Sequence, residues 1–451
     1  MEDSGSGELH DELQNHPLKT NEKNSNIFEI ESELNKPEVP NYEDERIKHK
    51  LGYFKSAMLF IQAAASLSLF TLQQPLSKVG LVGGFFVTLV VGYITCYGLV
   101  QMSALATEIE KDYGMKGRVK NLYGLTEHIQ GKHLPFVRWL MMIAGLGMMY
   151  SSSISNIILV SDTLEHHIGL QQWVSKTIIF LVISLGFLII VEPEKIKYVN
   201  LYMTALLFGI AYIIFGRNIY SWANGEGEPW SKITLFNWKY IGVWGGNLAY
   251  AFEVASGFLS LRLTASSDVN YESVTSWMTL LVGFNYFILS GAHMLGNKAS
   301  EITENSFQMM SKHGDIWKVL IYLYMINTSY TFSFNTIFTS EIIETMPPIE
   351  KVIVDNKGNI ARHKLIILRI ALWAIAVGIS FFATNIIMVL NISGSIFSPI
   401  VSYFGPLILT YAYRTQKGEE VPKWKRIHDL IYVKVAFTIS IWGIVNAFHN
   451  D

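Results

Sequence analysis

Eleven stretches of mainly apolar residues, each 18 to 26 residues long, recur along this chain and limit what it can become. They cover about 54–76, 79–103, 136–161, 174–191, 199–217, 240–262, 274–296, 315–340, 365–389, 392–413 and 428–448. A helix needs roughly 20 such residues to cross a bilayer. Lipid offers no partner to an open backbone group, so spanning segments of this length form helices. The expectation is an all-α polytopic membrane protein with 11 transmembrane helices. Half of the 451 residues are hydrophobic and only 16% are charged, a balance that soluble domains of this length rarely show. Glu192-Pro193-Glu194-Lys195 separates the fourth and fifth segments, and the ninth and tenth meet around Asn391 and Gly394.

Residues 1–50 stand apart as an acidic N-terminal tail, with thirteen acidic and six basic side chains. That composition favours a solvated segment outside the membrane, which leaves residues 51–451 as the membrane domain. An acidic start lacks the basic-then-apolar layout of a secretory signal peptide, and no Arg-rich mitochondrial presequence is visible. With the N-terminus inside, the inner connections receive twenty-three Lys and Arg and the outer connections eight. The positive-inside rule therefore places the N-terminus inside and the C-terminus outside. Cys96 is the one cysteine, so no disulfide forms within the chain. No glycosylation sequon falls in an outer loop, since Asn327 and Asn391 match the pattern at membrane depth. This leans towards a membrane that never faces the glycosylating lumen, such as the mitochondrial inner membrane, and leaves the organelle or plasma membrane undetermined.

The first segment carries three serines, three glutamines and a proline at membrane depth, where polar groups are costly and line cavities or helix contacts. Its register from Ser66-Leu67-Ser68-Leu69-Phe70-Thr71-Leu72-Gln73-Gln74-Pro75 to Gly80 is similar to the signature G-x-G-L-L-x-L-P-Y-A-F-x-x-x-G of the amino acid/auxin permease family. Further stretches resemble that family in order. They are Ser155–Leu164 ending the third segment, Val191–Lys197 after the fourth, and Ala251-Phe252-Glu253-Val254-Ala255-Ser256-Gly257 in the sixth. Gly291–Gly296 with Ile302-Thr303 follows the seventh, and Phe332-Ser333-Phe334-Asn335 through Glu344 lies in the eighth. The chain is identified on these residues as resembling a divergent transmembrane amino acid transporter.

The resemblance implies a five-plus-five inverted-repeat (LeuT-type) transporter fold plus one C-terminal helix. In such folds the first and sixth helices are broken near the midplane, where free backbone groups and half-helix dipoles bind substrate. Here both motifs are degenerate. Gly-x-Gly has become Ser66-Leu67-Ser68, Leu-Pro has become Leu72-Gln73, and the glycines after Glu253 have become Val254-Ala255-Ser256. Replacing Gly favours continued helix by about 0.5–1 kcal/mol per site and removing Pro by roughly 3. The sequence therefore favours helices that run unbroken through Ser66–Gln73 and Glu253–Ser260, although a serine can still bond an i−4 carbonyl and bend a helix.

Glu253 is an intramembrane carboxylate, fit to carry a coupling proton or to meet a substrate ammonium, or else a protonated or internally paired structural group. Ser66, Ser68, Thr71 and Gln73 line a small polar cavity in one reading and a close helix contact in the other. The resemblance adds Leu69, Tyr150, Asn156, Phe252, Ser256, Ser333 and Asn335 as substrate-binding candidates. His293 reads as a satisfied interior histidine. His166-His167 beside Glu165 lacks a second ligand set at metal-binding spacing. No P-loop, dinucleotide fingerprint or G-x-S-x-G elbow is present, so no enzyme, cofactor or metal is expected. Trp and Tyr form interfacial belts rather than platforms for nucleic acid. Two functions remain. One is a secondary active transporter of amino acids, coupled to H+ or Na+. The alternative is a transport-inactive accessory subunit of a larger membrane complex, whose other membrane subunits contact the acidic tail.

Overall fold

In the computed structural model of the protein, the described residues are 51–448, apart from 66–67, 115–118, 132–133, 190–196, 253, 267, 311–314, 345, 355–360 and 384. Side chains are not described at 183–189, 197–198, 309–310, 315–316, 332–339, 341 and 347–348. The elements are helical. α1 (Tyr53–Ala65) leads through a 3-10 turn at Ser68–Phe70 to α2 (Gln73–Val79), and α3 (Leu81–Asp112) follows. Next come α4 (Leu122–Glu127), α5 (Leu134–Ile168), α6 (Gln172–Ile189) and α7 (Lys197–Ala223). The chain continues as α8 (Ile241–Ala251), α9 (Ala255–Thr264), α10 (Tyr271–Gly296), α11 (Ser306–Met310), α12 (Asp315–Glu344) and α13 (Pro347–Ile353). It closes with α14 (Arg362–Ser380), α15 (Ile386–Ser398), a π-turn at Pro399–Phe404, α16 (Gly405–Gln416) and α17 (Lys423–Phe448).

Among the described residues, seven helical runs are long and apolar enough to cross a membrane: α3, α5, α7, α10, α14, α15 joined to α16, and α17. Their outward faces confirm the solvent they are built for. Phe85, Phe86 and Leu89 on α3 and Ile427, Leu430, Ile431 and Phe437 on α17 are exposed. Water would penalise a surface of that kind, and hydrocarbon does not.

The expectation of unbroken first and sixth helices is overturned. The first is interrupted between Ala65 and Gln73, and the sixth between Ala251 and Ala255. Pro75 supplies part of the reason. It has no N–H for the carbonyl of Thr71, and its ring crowds that carbonyl, so a continuous helix is strained at this point. In the first turn of α2 the missing donor costs nothing. The proline lost at Gln73 has a substitute two residues later.

A second expectation also moves. The division between the ninth and tenth segments falls at 381–385, where Asn385 caps α15 by accepting from the Met388 amide at 2.7 Å. Asn391 and Gly394 lie inside α15, where they serve helix contact. Asn391 Nδ2 donates to the Gly443 carbonyl of α17 at 3.0 Å. A Cβ at Gly394 would lie 1.9 Å from the Gly246 carbonyl oxygen of α8, so only glycine permits this approach. α8 is thereby packed backbone to backbone against α15.

Candidate functional site

The last carbonyls of an α-helix have no donor within the helix, and the two interrupted helices satisfy theirs jointly. In an unbroken chain the Ala64 carbonyl would accept from residue 68 and the Ala251 carbonyl from residue 255. Both instead accept from the hydroxyl of Tyr286 on α10, at 2.5 Å and 2.7 Å. Tyr286 has no exposed surface. Ser68 bonds to the same hydroxyl, and the Phe252 ring meets the tyrosine edge-on at 5.5 Å. Nearby on α8, the Ala249 carbonyl accepts from Ser398 Oγ at 3.0 Å. Two helix C-termini, each equivalent to roughly −0.5 charge, thus converge on a single O–H.

The chain closes over this joint at both ends. On one side Ser306 Oγ donates to the Phe70 carbonyl at 3.0 Å, and Gln73 Nε2 donates to the Thr303 carbonyl at 3.0 Å. Phe70, Phe307 and Tyr324 form an aromatic stack there, with ring centroids 4.4 to 4.9 Å apart. Asn305 ties the same connection to Thr163 of α5 at 3.0 Å. Burial pushes the Glu304 carboxyl in this connection above the usual glutamate range, against the Lys78 charge and the Asn385 hydrogen bond. Gly80 turns the chain from α2 into α3 at φ 87°, with the Leu235 backbone so close that a Cβ would lie 2.5 Å from it. On the opposite side, the start of α1 pairs with the end of α9. Leu51 N donates to Thr264 O at 2.8 Å, and Ser266 N donates to Leu51 O at 2.9 Å. Arg262 of α9 grips Glu110 of α3 with both terminal nitrogens, at 2.9 Å and 2.8 Å.

The candidates read from the sequence separate into those at the joint and those elsewhere. Ser68 and Phe252 touch Tyr286 directly. Leu69, Thr71 and Gln73 are buried around the first interruption, and Gln73 Oε1 has no partner among the described residues. Ser256 opens α9 and faces Gly145 of α5, where a Cβ would lie 3.8 Å from its own. Asn156 donates to the Ser152 carbonyl of its own helix at 2.8 Å, and Tyr150 is half-buried on α5. Ser66 and Glu253 lie outside the described residues, as do the side chains of Ser333 and Asn335. His293 pairs through Nδ1 with Asn218 Nδ2 at 3.0 Å.

Sequence reading missed the residues that hold the joint. Tyr286, Ser306 and Ser398 come from distant elements, and nothing in their local pattern marks them. It also missed Asp429, a buried carboxylate on α17 that accepts from Tyr97 at 2.6 Å and Tyr411 at 2.8 Å.

Residues 49–449 match the family described as transmembrane amino acid transporter protein. No curated protein matches the chain in sequence. Among solved structures, it is similar to MhsT in complex with L-phenylalanine, with TM-score 0.58 and 12% identity over 87% of this chain and 98% of that one. A manganese transporter from Eremococcus coleocola gives TM-score 0.55 at 13% identity, covering 92% and 90%. A Na+-coupled sialic acid symporter in a substrate-bound outward-open state gives 0.52 at 11%, covering 88% and 89%. At such identities the likeness is one of fold, and the fold is that of the inverted-repeat, LeuT-type transporters expected above.

Proposed function

The chain belongs to the transmembrane amino acid transporter family, and from that premise we propose that it is a working secondary transporter of amino acids driven by an H+ or Na+ gradient. One observation carries this reading. Both helices that must open around a substrate remain interrupted, although the residues that usually interrupt them are gone. Conserving the hinge by new means is what a moving part requires, whereas a passive scaffold gains nothing from it. The N-terminal ends of α2 and α9 face a zwitterion's carboxylate, and its ammonium reaches the C-terminal ends of α1 and α8 by taking the place of the Tyr286 hydroxyl. Alternation then consists of releasing one closure at a time. The Leu51–Thr264 pairing and the Arg262–Glu110 pair close one side, and the connection bearing Thr303 and Ser306 closes the other. We assign the Arg262 side to the inner face, with the N-terminus inside, on the bias of Lys and Arg. Glu253 is the carboxylate on which a coupling proton would reside.

Uptake by purified protein in liposomes tests this. Labelled amino acids should accumulate above protein-free controls when an inward H+ or Na+ gradient is imposed. No uptake across a broad amino-acid panel under either gradient overturns it. A second reading, the transport-inactive subunit, draws on the packed aromatic stack of Phe70, Phe307 and Tyr324 at the first interruption. Co-purification of stoichiometric membrane partners, together with absent uptake, would favour it.

A further inference from the structure

We infer that the Tyr286 hydroxyl fills, from within the chain, the cation place formed by the C-terminal ends of α1 and α8, so that the closed joint needs no monovalent cation or ligand ammonium there. The inference rests on reading the two interruptions as a transporter hinge, and it concerns how that hinge is held shut.

The geometry has three parts. First, the Ala64 and Ala251 carbonyls belong to different helices, yet both point at one atom, at 2.5 Å and 2.7 Å. Converging carbonyls at two negative helix ends attract a positive group and would repel each other without one. Second, the group found there is neutral and has one hydrogen for two acceptors. That hydrogen is shared, so neither carbonyl receives a full bond, whereas an ammonium offers three donors. Third, the tyrosine is held in place by its surroundings. Ser68 bonds to its oxygen. Phe252 packs against its ring and is seated over Gly283, one turn earlier on α10, where a Cβ would lie 2.7 Å from the Phe252 ring. A side chain wholly enclosed in this way is a fixed part of the joint.

An internal donor of this kind changes what the site selects. A joint closed by a bound cation is shut only when that ion is present, which links closure to the ion's gradient. A joint closed by Tyr286 shuts without the ion, so the driving ion must act elsewhere. A substrate ammonium must likewise displace the hydroxyl before it reaches these carbonyls. Tyr286 is therefore a specificity-determining and positioning residue.

The test is thermal unfolding of the purified full-length protein, followed by tryptophan fluorescence in matched chlorides of K+, methylammonium and choline. The wild-type midpoint is expected to be the same in all three salts. Tyr286→Phe keeps the ring and removes the donor, and its midpoint should fall by roughly 2–8 °C in every salt. Tyr286→Ala leaves room at the carbonyls, and its midpoint should rise in K+ or methylammonium relative to choline. A wild-type midpoint that rises in any of the smaller cations overturns the inference, and so does a Tyr286→Phe protein as stable as wild type. If Tyr286→Ala folds, a midpoint indifferent to cation overturns it too. If that variant does not fold, the wild-type and Phe results decide. None of these readings depends on transport, so a failure of this inference and a failure of the transporter proposal are told apart.

Discussion

At the first interruption the chain carries its own breaker. Pro75 cannot donate to the Thr71 carbonyl, and this holds whatever the rest of the molecule does. Serine hydroxyls and a proline share the work there, since Ser306 takes the Phe70 carbonyl that Gln74 would otherwise meet. At the second interruption there is no proline between Ile241 and Thr264. The carbonyls of Ala249 and Ala251 accept from Ser398 and Tyr286, two hydroxyls on other helices. The contrast separates a permanent break from a conditional one. If α10 or α15 withdraws its hydroxyl, the released carbonyls can bond four residues on, and α8 and α9 can join. The back of α8 does not share this freedom, because Gly246 and Gly394 bring its backbone against α15. Movement is therefore expected in α9, on the far side of the break, rather than in α8.

The largest effect should come from removing the permanent breaker. Pro75→Ala relieves about 3 kcal/mol of opposition to continuous helix, roughly a hundred-fold in the balance between broken and continuous forms. Amides 68–74 should gain protection from hydrogen exchange, and uptake in liposomes should fall steeply. Exchange unchanged in that stretch would mean that tertiary bonds alone hold the first break, and the contrast would fail. A smaller effect follows from the paired serines. Ser398→Ala and Ser306→Ala each delete one hydrogen bond of about 1 kcal/mol. Only Ser398→Ala should raise protection in the turn after Ala251, because at the first break the proline still acts. Equal responses at the two sites would show that the breaks are held alike.

Much of this molecule was legible in its sequence, for identifiable reasons. Apolar runs of bilayer length, separated by polar connections, announce spanning helices because no other arrangement satisfies the backbone in lipid. The register from Ser66 to Gly80 located the first joint, and Gly80 retains a role that only its positive φ and missing Cβ allow. The error lay in summing local propensities. Propensities summed at Gln73, where the family signature has proline, miss Pro75 two residues later. The register of Ala251 to Gly257 located the second joint, but what holds it could not be read, since Ser398 and Tyr286 reach it from helices far along the chain, and propensity is a weak guide where tertiary bonds decide. Asn391 and Gly394 misled for a related reason. Small and amide side chains mark both turns and close helix contacts, and here they make a contact.

The smallest predicted effect sharpens the contrast by acting on one joint alone. Glu304 lies in the connection that closes over the first interruption, where Asn385 Nδ2 donates to its Oε1 at 3.3 Å. Burial raises its pKa in the folded protein, so the folded form binds the proton more readily than the unfolded form does. The contribution to stability is then present below the ordinary glutamate value of about 4.3 and is lost as pH rises from there through the raised folded value. The connection should accordingly loosen across that window, seen as faster exchange of amides 301–308 after correction for the intrinsic pH dependence. Glu304→Gln stays neutral at every pH and should abolish the change. Amides around Ala251 to Ala255 should respond to pH alike in both proteins, because any titration there belongs to Glu253 and not to Glu304. A response at the second joint that Glu304→Gln also abolishes would show instead that the connection and α9 move as one body, and the two breaks would then have to be treated as a single hinge.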